Sequence, residues 1–136
     1  MKMEVFFEEG KKVNASYNGH VIKTDQPVEA GGSGSAPAPF DLFLASVGTC
    51  AGIYVKSFCM QRSIPADDIK IIQSMSYDYD KGLIEKIKLE IILPPEFPAK
   101  YKSAVINAAN LCAVKKHLLN PPDIEVETKE MEIAQV

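Results

Sequence analysis

Hairpin-forming strands set around two apolar helices predict an α+β fold with antiparallel sheet. Three observations carry that expectation. Asn18-Gly19 joins two alternating runs, the dipeptide favoured in tight hairpins. Asp80-Lys81-Gly82 joins two longer runs, the second alternating as Ile87, Leu89, Ile91 and Leu93. Helical periodicity occupies only the stretches before and after that second hairpin. Strands grouped between helices, rather than alternating with them one by one, argue against a doubly wound parallel sheet.

The elements follow in order. Residues 2–9 are rich in Val and Phe and read as a first strand. Val13, Ala15 and Tyr17 alternate with polar neighbours, and residues 20–25 return after the turn. Residues 26–38 form a loop with Gly31, Gly32, Gly34 and Pro37. Pro39 suits the first turn of a helix, and Asp41 complements its N-terminal dipole. Phe40, Phe43, Leu44, Val47, Cys50, Ala51, Tyr54 and Phe58 then recur at threes and fours, so this helix extends to about Arg62. Apolar residues on more than one side of it imply cover on most faces. Ser63-Ile64-Pro65 ends it. Residues 69–79 and 83–93 are strands, and Pro94-Pro95 closes the second. A second helix covers residues 98–110. Residues 111–119 continue or restart it, and Asn120-Pro121-Pro122 breaks it. Ile124, Val126 and Thr128 suggest a last strand.

Composition narrows the class. One chain of 136 residues suits a single domain over 1–136, and 46% apolar content is enough for a core. A net charge of -3 with interspersed Lys and acidic residues argues against a nucleic-acid partner. No stretch is expected to approach the ~20 apolar residues of a membrane span. The N-terminus carries acids inside its apolar segment, unlike a signal peptide. A cytoplasmic location follows, where thiols rest reduced and a disulfide is transient.

Cys50 and Cys112 sit in separate helical stretches, as a reactive thiol and its resolving partner would. The alternative is that both are small buried hydrophobes. Cys59 follows Cys50 by nine residues. On a continuous helix the two point to opposite faces, ~13 Å apart along the axis and beyond the ~7 Å limit for a disulfide. Cys112 is then the only other candidate partner for Cys50. Gly48 interrupts the helix two residues before Cys50. It allows either close packing or a kink that frees N–H groups near the sulfur.

Other chemistries fail on detail. The run Gly31-Gly32-Ser33-Gly34-Ser35 lacks the Gly-Lys-Ser/Thr ending of a phosphate loop, and Pro37 stands where a dinucleotide fingerprint needs Gly or Ala. A flexible loop is the remaining reading. His20, His117 and the cysteines show no metal-ligand spacing, so no metal or cofactor is expected. There is no Cys-x-x-Cys and no nucleophile elbow.

The stretch APAPFDLFLASVGTCAGIYVKSFCM, residues 36–60, resembles the OsmC and organic hydroperoxide resistance family. That family has a Pro-led helix start with Leu and, about eleven positions after the Pro, a Cys. Pro39, Leu42 and Cys50 occupy those places. Leu111-Cys112-Ala113-Val114 is similar to the setting of its second Cys. The resemblance implies an intertwined homodimer with active sites at the subunit interface. It implies a thiol peroxidase in which Cys50 is peroxidatic and Cys112 resolving, reset by a dithiol or lipoyl-type reductant. Two positions depart from the pattern. The family arginine before the Cys helix is missing, since Arg62 follows Cys50. The place of the family glutamate is Phe40, with Asp41 one position on. Thiolate support would then come from Lys11, Lys12, Lys23 or His20, from the Gly48 backbone, or from the other subunit. A non-catalytic module binding an apolar molecule or a protein partner is the alternative, with Phe40, Phe43 and Tyr54 lining its pocket.

Overall fold

The computed structural model describes residues 1–132. A three-stranded antiparallel sheet opens the chain: β1 (Glu4–Phe7), β2 (Val13–Tyr17) and β3 (His20–Ile22), in that spatial order. Tyr17 pairs with His20 across the Asn18-Gly19 turn. Both turn residues take positive φ, 49° and 76°, the twist a two-residue hairpin needs. Asn14 is buried in β2 and ties this sheet to its exit. Its side chain donates to Glu8 at 2.8 Å and accepts from the Thr24 N–H at 3.2 Å.

Within the loop expected over residues 26–38, the run Gly31–Ser35 is not the flexible stretch that its glycines and serines suggest. The carboxylate of Asp25 is buried and gathers the loop around itself. It accepts from the N–H of Gln26 and from the hydroxyls of Ser33 and Ser35, at 2.6 to 2.7 Å. At Gly32 a Cβ would lie 1.9 Å from the Gln26 carbonyl oxygen, so only glycine fits there. Composition signalled mobility, and one buried carboxylate overrides it.

Helix α1 (Pro39–Met60) follows, with Ala38 as its N-cap and Pro39 in its first turn. It is continuous through Gly48. A Cβ at Gly48 would meet the Gln73 Oε1 at 2.6 Å, and Gln73 Nε2 donates to the Leu44 carbonyl at 2.9 Å. Gly48 therefore serves close packing, and the kink does not occur. The helix ends when Ser63 turns left-handed at φ 53° and the Ile64 N–H reaches back to the Cys59 carbonyl at 2.9 Å. Arg62 stacks its guanidinium 3.7 Å from the Phe58 ring centroid and donates to the Phe58 carbonyl.

β4 (Lys70–Asp78) and β5 (Leu83–Ile92) form a separate antiparallel pair. Gly82 takes φ 67° in the turn. A register irregularity lies between Ser76 and Tyr77. A 3-10 turn over Ala99–Tyr101 leads into α2 (Lys102–Ala109), and α3 (Ala113–Leu119) begins after a break at Cys112. The break resolves the choice between continuation and restart in favour of restart. The core is small: Val55, Phe58, Cys59, Phe97 and Val105, with the inner face of β4 and β5 laid on it.

Two expectations need correction. Residues 121–132 form no strand, so Ile124 and Val126 stand 85% and 94% exposed. Among the described residues no strand pairs with this segment. α1 is also, at 22 residues and with a mean hydropathy of 1.5 over its most apolar window, long and apolar enough to cross a membrane by length and composition. The expectation that no stretch approaches such a span fails on this helix, although it packs against α2, α3 and β4.

Candidate active site

Cys50 lies half-buried near the middle of α1, on the side that meets α3. Its sulfur is held from the other element. The backbone N–H groups of Val114 and Ala113, in the first turn of α3, and the Cys112 thiol are the neighbouring donors that favour its thiolate. The Val114 N–H does most to lower the Cys50 pKa below the ordinary thiol value. Desolvation works in the opposite direction, and Cys112 and the Ala113 N–H add to the lowering.

Cys112 is buried to 2% exposure and is the N-cap of α3. Its sulfur accepts from the Lys115 N–H at 3.4 Å, where helices usually place a hydroxyl or carboxylate oxygen. Burial pushes its thiol pKa up, and its hydrogen bond to Cys50 keeps the proton on Cys112. The pair is therefore asymmetric. Cys50 is the easier thiolate and Cys112 is the proton-bearing neighbour. Cys59 lies on the opposite side of α1 in the core, fully buried, with its pKa raised by desolvation.

Two apolar spaces flank the pair. A cavity of about 760 Å³ lies on the Cys112 side, between α1, α2 and β5, lined by Val47, Ala51, Leu89, Ile91, Val105 and Cys112. A shallower crevice of about 420 Å³ is lined by Phe43, Val114, His117, Leu118, Pro121 and Ile124. Phe40 stacks on Phe43 at 5.6 Å between ring centroids, but neither Phe40 nor Tyr54 lines these two spaces.

The other expected supports stand elsewhere. Neither His20 in β3 nor Lys23 after it acts on the Cys50 thiol within this chain. Asp41 is exposed in the first turn of α1, more than two turns before Cys50. Gly48 supplies no freed N–H. The donors that do support the sulfur, Ala113 and Val114, escaped sequence reasoning because backbone groups carry no residue signature. A helix restarting at a cysteine was the only signal for them. Among the described residues no three His, Cys, Asp or Glu side chains converge as a metal site.

The structure is similar to solved OsmC-type folds. A Psychrobacter arcticus protein described with osmotic stress induction and detoxification response matches at TM-score 0.71 and 21% identity, over 85% of this chain and 86% of that one. An OsmC-like protein from Mycoplasma pneumoniae matches at 0.67 and 14%, over 88% and 87%. The organic hydroperoxide resistance protein OhrB of Bacillus subtilis matches at 0.53 and 20%, over 95% and 98%. A comparison with curated proteins finds no match. The family described as OsmC-like protein matches residues 32–127, which include α1 with Cys50, the β4–β5 pair and α3 with Cys112. With the pattern spanning most of the chain and the fold agreeing, this protein belongs to the OsmC-like family.

Proposed function

We propose that the protein is a thiol-dependent reductase of organic hydroperoxides, with Cys50 peroxidatic and Cys112 resolving. The observation that carries this reading is the asymmetric pair: a half-buried thiol whose pKa is lowered by the N–H groups opening α3 and by a second, buried thiol whose own pKa is raised. The relative named for organic hydroperoxide resistance agrees with it. The Cys50 thiolate attacks the terminal peroxide oxygen. The O–O bond breaks, the alkoxide leaves and takes a proton, and Cys50 becomes a sulfenic acid. The Cys112 sulfur then attacks the Cys50 sulfur, hydroxide leaves as water with the Cys112 proton, and a disulfide forms. A dithiol or lipoyl-type reductant reduces that disulfide by two exchange steps and is itself oxidised. The N–H pair takes the supporting role of the absent arginine. The setting is the cytoplasm, where the resting pair is reduced.

The reading includes a homodimer with the site completed at the interface. Its support is uncovered apolar surface. Only 28% of the most apolar window of α1 is buried in one chain, and Phe7 and Ile124 are 81% and 85% exposed. A second reading, binding of an apolar small molecule by an inert module, is favoured by the cavity beside Cys112.

Peroxide titration with a thiol count by mass tests the choice. The parent is expected to lose two thiols per peroxide and to turn over with a dithiol. Cys50→Ser is expected to lose none, and Cys112→Ser to stop at one oxidation and then over-oxidise. If Cys50→Ser consumes peroxide as fast as the parent, the reductase reading falls and the binding module replaces it. A monodisperse monomer in light scattering would remove the homodimer.

A further inference from the structure

The β1–β3 sheet is joined to the rest of the molecule through residues 25–37, and its own strands pack chiefly on one another. Stiffness between this sheet and α1 therefore depends on that segment. Asp25 is its centre. The side chain is 1% exposed, yet it meets no Lys or Arg within hydrogen-bond reach. Its partners are neutral donors. Oδ1 accepts from Gln26 N at 2.7 Å. Oδ2 accepts from Ser33 N at 3.3 Å, Ser33 Oγ at 2.6 Å, Ser35 N at 3.1 Å and Ser35 Oγ at 2.7 Å. Donors from successive backbone and hydroxyl groups make the concave cradle that proteins use to hold a free anion. Here the anion is the chain's own carboxylate. The same residue's N–H donates to the Pro37 carbonyl at 3.2 Å, one residue before the α1 cap. Gly34 N donates to the Gln26 carbonyl at 3.0 Å, and Gly32 N to the Pro27 carbonyl at 3.1 Å, so the loop is also laced across its width.

We infer that Asp25 is a positioning residue. Its carboxylate acts as an internal anion that locks residues 25–37 into a rigid elbow and fixes the N-terminal sheet relative to α1. In the homodimer proposed above, on which this second step rests, the elbow presents the sheet to the other copy in one orientation. An unfixed sheet would lose orientational entropy on association, and the elbow removes that cost in advance. The run Gly31–Ser35, which failed as a phosphate loop, is thus an anion cradle with its occupant built in.

The test combines Asp25→Ala with added formate, a carboxylate small enough to enter the emptied cradle. Two readouts are followed on the full chain: amide exchange at Gln26, Ser33 and Ser35, and the self-association constant by sedimentation. Loss of several charge-assisted bonds is expected to speed exchange at these amides by roughly tenfold or more and to weaken association by a similar factor. Sodium formate is expected to restore both, and sodium chloride at equal ionic strength to restore less. Unchanged exchange in Asp25→Ala overturns the elbow, and so does a loss that formate leaves unrepaired. If Asp25→Ala does not fold, the Ser33→Ala/Ser35→Ala pair keeps the charge and backbone. It is expected to show the same acceleration in weaker form, and parent-like exchange there overturns the proposal. Faster exchange with unaltered association overturns the presentation step alone. A monomeric parent overturns that step and the homodimer together, while exchange and formate recovery still decide the elbow.

Discussion

Replacing Ala113 by proline isolates one of the N–H groups that lower the Cys50 pKa. Ala113 is the first residue of α3, where a proline ring fits the helix and removes only an N–H. The preceding Cys112 has ψ 127°, in the extended range that a residue before proline requires. The backbone therefore tolerates the change, and reduced freedom in the unfolded chain should stabilise the fold by ~0.4–1 kcal/mol. The thiol experiences the opposite. A hydrogen bond to a charged group contributes about 1.5–3 kcal/mol. Ala113 is the weaker of the two N–H donors and the sulfur is half-buried, so ~1 kcal/mol is the appropriate share. That is about a fivefold fall in thiolate fraction at neutral pH. A thiol of higher pKa is also the better nucleophile once ionised, so net alkylation should slow only about two- to threefold. Ultraviolet titration of the thiolate, run on Cys59→Ala backgrounds with and without Ala113→Pro, reads the first quantity. Timed alkylation with mass detection reads the second. An unmoved thiolate titration in a folded Ala113→Pro protein would refute the claim that this N–H supports Cys50.

Three further outcomes follow from the geometry. Gly48→Ala gains ~1 kcal/mol of helix propensity but pushes Gln73 out of its bond to Leu44, so chemical denaturation should show little net change, and adding Gln73→Ala should make the double variant more stable than Gly48→Ala alone. Ser63→Gly relieves a left-handed φ of 53° at the end of α1 and should raise stability by roughly 0.5–1 kcal/mol; a loss would mean that the Ser63 side chain stabilises the turn. Burial raises the folded pKa of Cys59 above an unfolded value near ~8.5, so its contribution is complete below that pH and is lost as pH rises through the folded value. Thermal unfolding from neutral to alkaline pH should therefore show a fall that Cys59→Ala reduces, and equal slopes for parent and variant would contradict the assignment.

Much of the architecture was legible because short-range signals agreed with the fold. Asn18-Gly19 specified a hairpin that forms with both residues at positive φ. The alternation of Ile87, Leu89 and Ile91 named the inner face of β5. Ser63-Ile64-Pro65 marked the end of α1 within a few residues. What escaped was decided by single long-range contacts. Gly48 has the same sequence signature for a kink as for close packing, and only Gln73 arriving from β4 distinguishes them. The glycine-serine loop reads as mobile until a buried carboxylate eight and ten residues earlier takes its hydroxyls. Ile124 and Val126 alternate as a strand does, yet a strand needs a neighbour, and among the described residues none pairs with them. At the site, residue types pointed to Cys50 and Cys112, whose roles stay a proposal. The donors from α3 are main-chain groups, and only the fold could name them.

The sulfur of Cys112 has two employments, since it also starts a helix. Any event at this atom is therefore structural as well as chemical. Bonding it to Cys50 would exchange its S–H for an S–S bond and re-aim the lone pair that receives the Lys115 N–H, so the first turn of α3 would sense whether the pair is open or closed. Replacing it with serine installs a stronger cap while deleting a thiol, whereas alanine removes both. Side by side, the two substitutions divide what this residue contributes as a helix cap from what it contributes as a thiol.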